Sequence, residues 1–219
     1  ATLHGLPALW FRNTWSWYGS AEQPSIAIDT DGTRLIASHR RLPPMTLTSA
    51  GTPTPLVCDN DTNTARLYGV EGPRRPKDGI NDHVISGMAT ADRAGSGTKA
   101  ALWHTVTVEP DETAEIDLRL SSHRAAPDGD AVFTARRSEA DIFHETVATP
   151  HLDAPRRSLL RQALAGMVWS SQWYHYDVER WLEGDPGQPP PPPDRRSGRN
   201  AGWGHLNNAD IISMPDTWE

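Results

Sequence analysis

The feature that most constrains the fold is a change of hydrophobic period along the chain. Up to about residue 122, short apolar runs alternate with polar residues, as in EIDLRL at residues 115–120. Alternation with a period of two buries one face of a strand and leaves the other in water. After about residue 128, apolar residues recur at helical spacing instead. The sequence therefore predicts antiparallel β structure followed by helices, with a boundary near residue 125.

Two hairpins are predicted in the first part. In SIAIDTDGTRLIAS, residues 25–38, two apolar runs flank Asp31-Gly32, a pair typical of tight hairpin turns. The second hairpin joins TKAALWHTVTV, residues 98–108, to TAEIDLRL, residues 113–120, through a turn at residues 110–112. LPALWFRNTWSW at residues 6–17 predicts a further strand, and RRPKDGIND at residues 74–82 predicts a loop. Together these segments favour a β-sandwich.

The second part predicts two helices. Residues 130–147 carry apolar side chains at helical spacing, and a further helix opens with Asp153 as N-cap and Pro155 in its first turn. QWYHYDVERW, residues 172–181, is expected at the end of that helix, and the five prolines at 189–193 indicate an extended surface loop. An amphipathic helix cannot bury its apolar stripe alone. It either packs on the sheet or belongs to an α domain whose other helices are missing.

The charge and cysteine content exclude several classes of protein. The chain has 28 acidic and 21 basic residues, and a formal charge of −7 argues against nucleic-acid and anionic-membrane partners. The one cysteine, Cys58, allows no internal disulfide and is expected to be a core thiol. DNDTN at residues 59–63 begins like a calcium loop, but Thr64 and Val70 stand where that loop needs Gly and Glu. We expect a cytoplasmic protein without a cofactor, and we assign no metal-ligating residue.

The richest candidate site is GWGHLNNADIISMPDTWE, residues 202–219, where polar and aromatic residues alternate. Indole rings stack on the C–H faces of sugars, while amides and carboxylates bond sugar hydroxyls. The candidate substrate-binding residues of this stretch are His205, Asn207, Asn208, Asp210, Asp216 and Trp218, beside Trp203. QWYHYDVERW adds Trp173 and His175. A helix cap with packed aromatic residues explains this second run equally well.

Several blocks of the sequence resemble large bacterial glucosidases, which are related to glycoside hydrolase family 63 and to mannosylglycerate-hydrolase-like enzymes. The blocks are LWFRNTWSW (9–17), KDGINDHVISG (77–87), GTKAALWHTVTV (97–108), RQALAGMVWSSQWYHYDVERWL (161–182) and GRNAGWGHLNNADIISMPDTWE (198–219). The resemblance implies an N-terminal β-sandwich, an (α/α)6 barrel, and cleavage of α-glycosidic bonds with inversion. It therefore matches the β-then-α order predicted from the residues.

The resemblance also implies how this chain divides. We expect a partial β-sandwich over residues 1–125, a linker helix over 126–152, and the beginning of an (α/α)6 catalytic domain over 153–219. In such enzymes the expected general acid follows a segment like SMPDTWE, and the catalytic base lies far downstream. The chain is thus expected to be an internal fragment that lacks both groups and is inactive alone. Its expected partners are a carbohydrate substrate and the remainder of the catalytic domain.

The resemblance further places Lys77 and Asp78, in a sandwich loop, near the sugar-binding end of the barrel. It assigns neither Asp210 nor Asp216 as acid or base, so no catalytic residue is predicted within the chain. The competing hypothesis is a stand-alone carbohydrate-binding β-sandwich with a helical tail, and a truncated reading frame without function is a third. A binding module would carry its aromatic face on the sandwich. The richest cluster lies outside the predicted sandwich, which favours the enzyme.

Overall fold

The computed structural model describes residues 1–18, 22–122 and 129–213. The chain divides into two compact units, Ala1–Ala126 and Pro127–Glu219. The first unit is built from antiparallel strands and the second opens with two long helices. The predicted order of β structure followed by helices is therefore confirmed.

The first unit contains nine strands and three short helices among its described residues. They are β1 (Thr2–Gly5), β2 (Ala8–Trp10), α1 (Trp15–Tyr18), β3 (Ser25–Ile28), β4 (Leu35–His39), β5 (Leu42–Ser49), β6 (Thr54–Cys58), α2 (Thr64–Tyr68), α3 (Gly79–Ser86), β7 (Ser96–Gly97), β8 (Lys99–Thr107) and β9 (Leu118–Ser121). One sheet is centred on β8: β1 and β2 follow each other along one edge, and β6 pairs along the other. The second sheet has the order β7-β3-β4-β5-β9.

The two sheets bury a common core. Ile26, Leu35 and Leu47 of the five-stranded sheet cluster with Val57 and Leu102 of the other sheet. This arrangement is the β-sandwich that the alternating pattern favours, because each sheet covers the apolar face of the other. The opposite face of β6 and β8 is covered by Ile80 of α3, which packs with Leu56 and Ala101.

The first predicted hairpin is confirmed, since β3 pairs with β4 through the turn that contains Asp31 and Gly32. Gly32 has a φ of 73°, a backbone conformation that glycine adopts without steric cost. The second predicted hairpin is wrong. β8 pairs with β1, β2 and β6, whereas β9 pairs with β5 in the other sheet. Leu118 and Leu120 of β9 are about half exposed, so the alternation there does not mark a buried face.

Two further predictions concern α3 and Cys58. The loop prediction at residues 74–82 is wrong for its last four residues, because α3 begins at Gly79. Cys58, the last residue of β6, is fully buried in the cluster that contains Ile80 of α3 and Ala101 of β8. This burial raises the pKa of its thiol to about 11. The predicted core thiol is therefore confirmed, and it stays protonated at neutral pH.

The second unit contains α4 (Gly129–Val147), α5 (Ala154–Trp169), β10 (Gln172–Asp177), α6 (Val178–Glu183), a short 3₁₀ helix (Pro193–Arg196) and β11 (Asn207–Ser213). Both long helices are where the apolar spacing predicts them. Asp153 caps α5 by accepting a hydrogen bond from the Arg156 amide at 3.0 Å, and Pro155 lies in the first turn, as predicted.

The helices α4 and α5 are joined by ion pairs and keep much apolar surface exposed. Arg157 pairs with Glu145, and Arg161 pairs with Asp141 at 2.5 Å. Neither helix has a buried residue, and Phe133 and Trp169 are exposed to 65% and 92%. Within the described ranges, none of the helices combines the length and apolar character needed to cross a membrane.

Candidate functional site

A two-stranded ribbon joins the two segments that the sequence singles out. β10 carries QWYHYD and β11 carries NNADIIS, and they pair in antiparallel register from Gln172 opposite Ser213 to Asp177 opposite Asn207. The prediction that the first segment lies at the end of α5 is wrong, because α5 ends at Trp169 and the segment forms β10. Ser170 and Ser171 hydrogen-bond back to the carbonyls of Gly166 and Met167 at 2.6 and 2.8 Å, and the chain then becomes extended.

The ribbon has an irregularity at the centre of the candidate site. Tyr174 pairs with Ile211 and Tyr176 pairs with Asn208, so His175 alone faces the two residues Ala209 and Asp210. Two residues opposite one is the arrangement of a β-bulge, which bends a strand and re-aims its side chains. Bulges are frequent beside functional sites for that reason. The structure thus brings His175, Asn208 and the backbone of Asp210 to one place on the ribbon.

Asp177 ties the ribbon to the helix that follows. Its carboxylate caps α6 by accepting from the Arg180 amide at 3.2 Å and pairs with Arg180 Nε at 3.3 Å. It also accepts a hydrogen bond from Asn207 Nδ2 at 3.2 Å across the ribbon. The amide of Val178 in turn bonds the Leu206 carbonyl at 3.1 Å, and the Val178 side chain is fully buried. Asn207 is therefore held in place by its neighbour on β10.

We expect Asp177→Ala to loosen this ribbon. The substitution removes one helix cap, the ion pair with Arg180 and one cross-strand hydrogen bond, which together are worth about 1–3 kcal/mol of local stability. Hydrogen exchange at the amides of β10, β11 and α6 measures the loss. Asp153→Ala is the matched control, because it removes the cap of α5 and a long ion pair with Arg156, both remote in sequence from β10 and β11, and should leave exchange in the ribbon unchanged. Equal exchange in the ribbon of both variants would contradict the role given to Asp177.

Tyr176 of β10 contacts residues that follow the ribbon strand in sequence, Trp181 and Asn200. Its hydroxyl accepts a hydrogen bond from Asn200 Nδ2 at 2.8 Å, and its ring meets Trp181 edge-on at 6.3 Å. The guanidinium of Arg195 lies 4.7 Å from the centre of the Trp181 ring and donates to the Trp181 carbonyl at 3.0 Å. The proline-rich segment therefore returns to the ribbon. Sequence reasoning misses Arg195 and Asn200 because the prolines of that segment indicate an extended surface loop.

Trp203 and His205 form an exposed stacked pair just before β11. Their ring centres are 5.8 Å apart at an interplanar angle of 26°, and Trp203 is 54% exposed. Backbone bonds from the Trp203 amide to the Asn200 carbonyl at 3.0 Å and from the Leu206 amide to the Trp203 carbonyl at 2.8 Å hold the turn. A flat, half-exposed indole in a fixed turn offers a stacking surface for a ligand with an apolar face.

The remaining candidate residues fall in three places. The side chains of Trp173 and Asp210 lie outside the described part of the ribbon, and Asp216 and Trp218 lie outside the described residues altogether. Lys77 and Asp78 belong to the first unit. The Lys77 carbonyl accepts from Lys99 Nζ at 2.6 Å, and the Asp78 carboxylate accepts from Asn63 Nδ2 at 3.1 Å and pairs with Arg66. These contacts hold the loop before α3, and a role at a sugar site stays a prediction.

The chemistry available on the ribbon is hydrogen bonding and stacking. Asn200, Asn207 and Asn208 each supply both donors and acceptors, and Trp203 supplies an aromatic face. In the part of the chain that the structure describes, no group of three or more His, Cys, Asp or Glu side chains is placed to hold a metal ion. The arrangement suits a neutral, hydroxyl-rich ligand.

Comparison with known proteins finds a long relative. The uncharacterized protein YMR196W of Saccharomyces cerevisiae is 30% identical to this chain over 261 aligned residues, which cover 99% of the chain and 24% of the yeast protein. The chain thus spans about a quarter of the length of the curated relative that it matches. No protein-family model matches the sequence, and no solved structure matches it significantly.

Proposed function

We propose that this chain forms the β-sandwich and the beginning of the (α/α)6 catalytic barrel of an inverting glycoside hydrolase related to family 63, acting on α-glucosides or related α-linked sugars. The observation that carries the proposal is the ribbon. It joins two of the blocks that resemble such enzymes, RQALAGMVWSSQWYHYDVERWL and GRNAGWGHLNNADIISMPDTWE, into one surface with an exposed Trp203–His205 stack.

The side chains near the ribbon fit a sugar better than a charged ligand. Sugar hydroxyls need both donors and acceptors, which amide side chains provide from one group. Asn207 and Asn208 are consecutive at the start of β11, so the ribbon presents one amide on each face, and the stacked indole of Trp203 lies a few residues before them. A bulge opposite His175 supports the proposal further, because such irregularities commonly aim side chains into binding sites.

The helices support the barrel part of the proposal. α4 and α5 carry large exposed apolar side chains, among them Phe133, Leu159, Met167 and Trp169. In an (α/α)6 barrel, such faces pack against neighbouring helices, which bury a continuous apolar surface. The yeast relative is about five times as long as this chain, which is long enough to supply them.

Trp203→Ala tests sugar binding on the ribbon. We expect the 219-residue chain to bind α-linked glucose disaccharides with a Kd in the millimolar range, and the variant to bind about tenfold more weakly, because a sugar–indole contact is worth about 1–1.5 kcal/mol. NMR titration with maltose, nigerose and kojibiose measures both values. Trp169→Ala is the matched control, since Trp169 is exposed in the same unit but has no stacking partner in the described residues. If both variants bind the sugars like the unmodified chain, the ribbon is not a sugar site.

The same titration tests the second candidate function, a carbohydrate-binding β-sandwich. One observation favours it: Trp10 at the edge of the first sheet is 57% exposed, as a sugar platform on a sandwich would be. Chemical-shift changes confined to β2 and its neighbours, with none at Trp203, would support the binding module against the hydrolase.

A further inference from the structure

A cationic cleft lies on the first unit, and its lining includes none of the residues predicted for the sugar site. Its walls come from the segment after β2 and from the tight turn between β4 and β5, where His39 pairs with Leu42 around the two residues Arg40 and Arg41. The cleft measures about 540 Å³. Arg12, Arg40 and Arg41 all line it, and Glu22 is the acidic residue among the lining.

The cleft concentrates positive charge in a chain whose formal charge is −7. Three arginines and one glutamate give the lining a net charge near +2. In the described ranges of the chain, the side chains of Arg40 and Arg41 pair with no carboxylate, whereas Arg34, Arg66 and Arg75 each pair with aspartates. Guanidinium groups that share one concave surface are suited to bidentate recognition of a phosphate.

An apolar recess adjoins the cationic cleft. The recess, of about 80 Å³, shares Phe11, His39 and Leu42 with the cleft and extends to Trp10 and Met45. The rings of Phe11 and His39 stack with centres 5.7 Å apart at an angle of 22°. Trp10 and Leu42 are each 57% exposed at its edge. A ligand held by the arginines can therefore place an apolar group in this recess.

His39 contributes a hydrogen-bond donor at the boundary between the two parts. Its Nδ1 accepts a hydrogen bond from the Arg41 amide at 3.1 Å. The neutral ring must then carry its proton on Nε2, which makes that nitrogen a donor. His39 thus offers a hydrogen-bond donor between the cationic cleft and the apolar recess.

We propose that this cleft binds a small organic phosphate monoester that carries a planar or apolar group. A phosphate monoester has a charge close to −2 at neutral pH, which matches the net charge of the lining. Its apolar group would lie in the recess against Phe11 and Trp10. The site belongs to the first unit and does not depend on the proposed glycosidase function.

Phenyl phosphate is the probe, and isothermal titration of the 219-residue chain is the measurement. We expect phenyl phosphate to bind at least about tenfold more tightly than inorganic phosphate or phenol, because each of these lacks half of the contacts. Binding should weaken as sodium chloride rises from about 20 to about 200 mM, since exposed charges are screened by salt. Inorganic phosphate that binds as tightly as phenyl phosphate would overturn the proposal and indicate simple attraction of anions.

The variant R40Q/R41Q tests the residues. Both side chains are exposed in a turn, so the fold should persist, and binding should weaken about tenfold or more. R74Q/R93Q is the matched control: it removes the same charge from two exposed arginines of the same unit outside the cleft, and binding should stay unchanged. Equal losses in the two double variants, or none in R40Q/R41Q, would overturn the proposal. Arg12→Gln provides a second variant in the segment after β2, where a weakening of several-fold is expected.

Discussion

Leu102→Ala is expected to destabilise the first unit by about 2–5 kcal/mol, the range observed when a large aliphatic side chain is truncated in a packed core. Leu102 is fully buried on β8, the central strand of its sheet, and it lies in the cluster that both sheets share. Removing its methyl groups loses their burial and also leaves a cavity between two sheets that the paired strands prevent from collapsing.

Leu3→Ala is the matched control for this prediction. Leu3 lies on β1 of the same sheet, pairs opposite Val106 of β8, and is 53% exposed, so its truncation should cost less than about 1 kcal/mol. Urea unfolding followed by hydrogen exchange of the β8 amides measures both variants. Comparable small shifts of the midpoint would mean that the two sheets do not share a packed core at Leu102.

The parts of the fold that are predicted correctly depend on local sequence signals. The hairpin at Asp31-Gly32 follows from a turn that requires a positive φ, and α5 begins where Asp153 and Pro155 predict. Both signals depend on a few neighbouring residues, so these two elements can be predicted without knowing the contacts of distant parts of the chain. The two long helices of the second unit, α4 and α5, also follow from their apolar spacing, although their exposed residues show that spacing alone does not reveal what covers them.

The wrong predictions concern contacts between distant segments. A hairpin of β8 and β9 is expected because the two are neighbours in sequence, but β8 is buried on both faces and takes its partners from β1, β2 and β6. A central strand of this kind has a nearly continuous apolar run, AALW, and this run distinguishes it from an alternating hairpin strand.

The candidate site is predictable only in part for the same reason. The aromatic run after Ser171 has the composition of a strand, which could have indicated β10. The pairing of β10 with β11 brings His175 beside Asn208. The chain between the two strands is about 30 residues long, and nothing in its proline-rich part predicts that it folds back onto β10. The contacts of Arg195 and Asn200 with Trp181 and Tyr176 depend on that return.

The 219-residue chain is expected to hydrolyse no α-glucoside or α-mannoside above the rate in buffer. This result follows from the proposed function, in which neither the general acid nor the base lies among residues 1–219. An inverting enzyme needs two carboxyl groups about 6.5–9.5 Å apart, with a water between the base and the sugar. General acid–base catalysis contributes about 100- to 10,000-fold, so the absence of both groups should leave no measurable turnover.

Release of nitrophenol from p-nitrophenyl α-glucoside and α-mannoside measures the rate, with Asp216→Asn and Asp210→Asn as companion variants. Turnover that disappears in either variant would place an acid or base within this chain and would contradict the expected assignment. The sugar titration separates the remaining outcomes, because binding and catalysis depend on different groups. Disaccharide binding that requires Trp203, without turnover, is the combination expected of a sugar-binding surface separated from its catalytic carboxylates. Turnover retained in both aspartate variants would require a different catalytic pair and would remove the basis for the family-63-like mechanism.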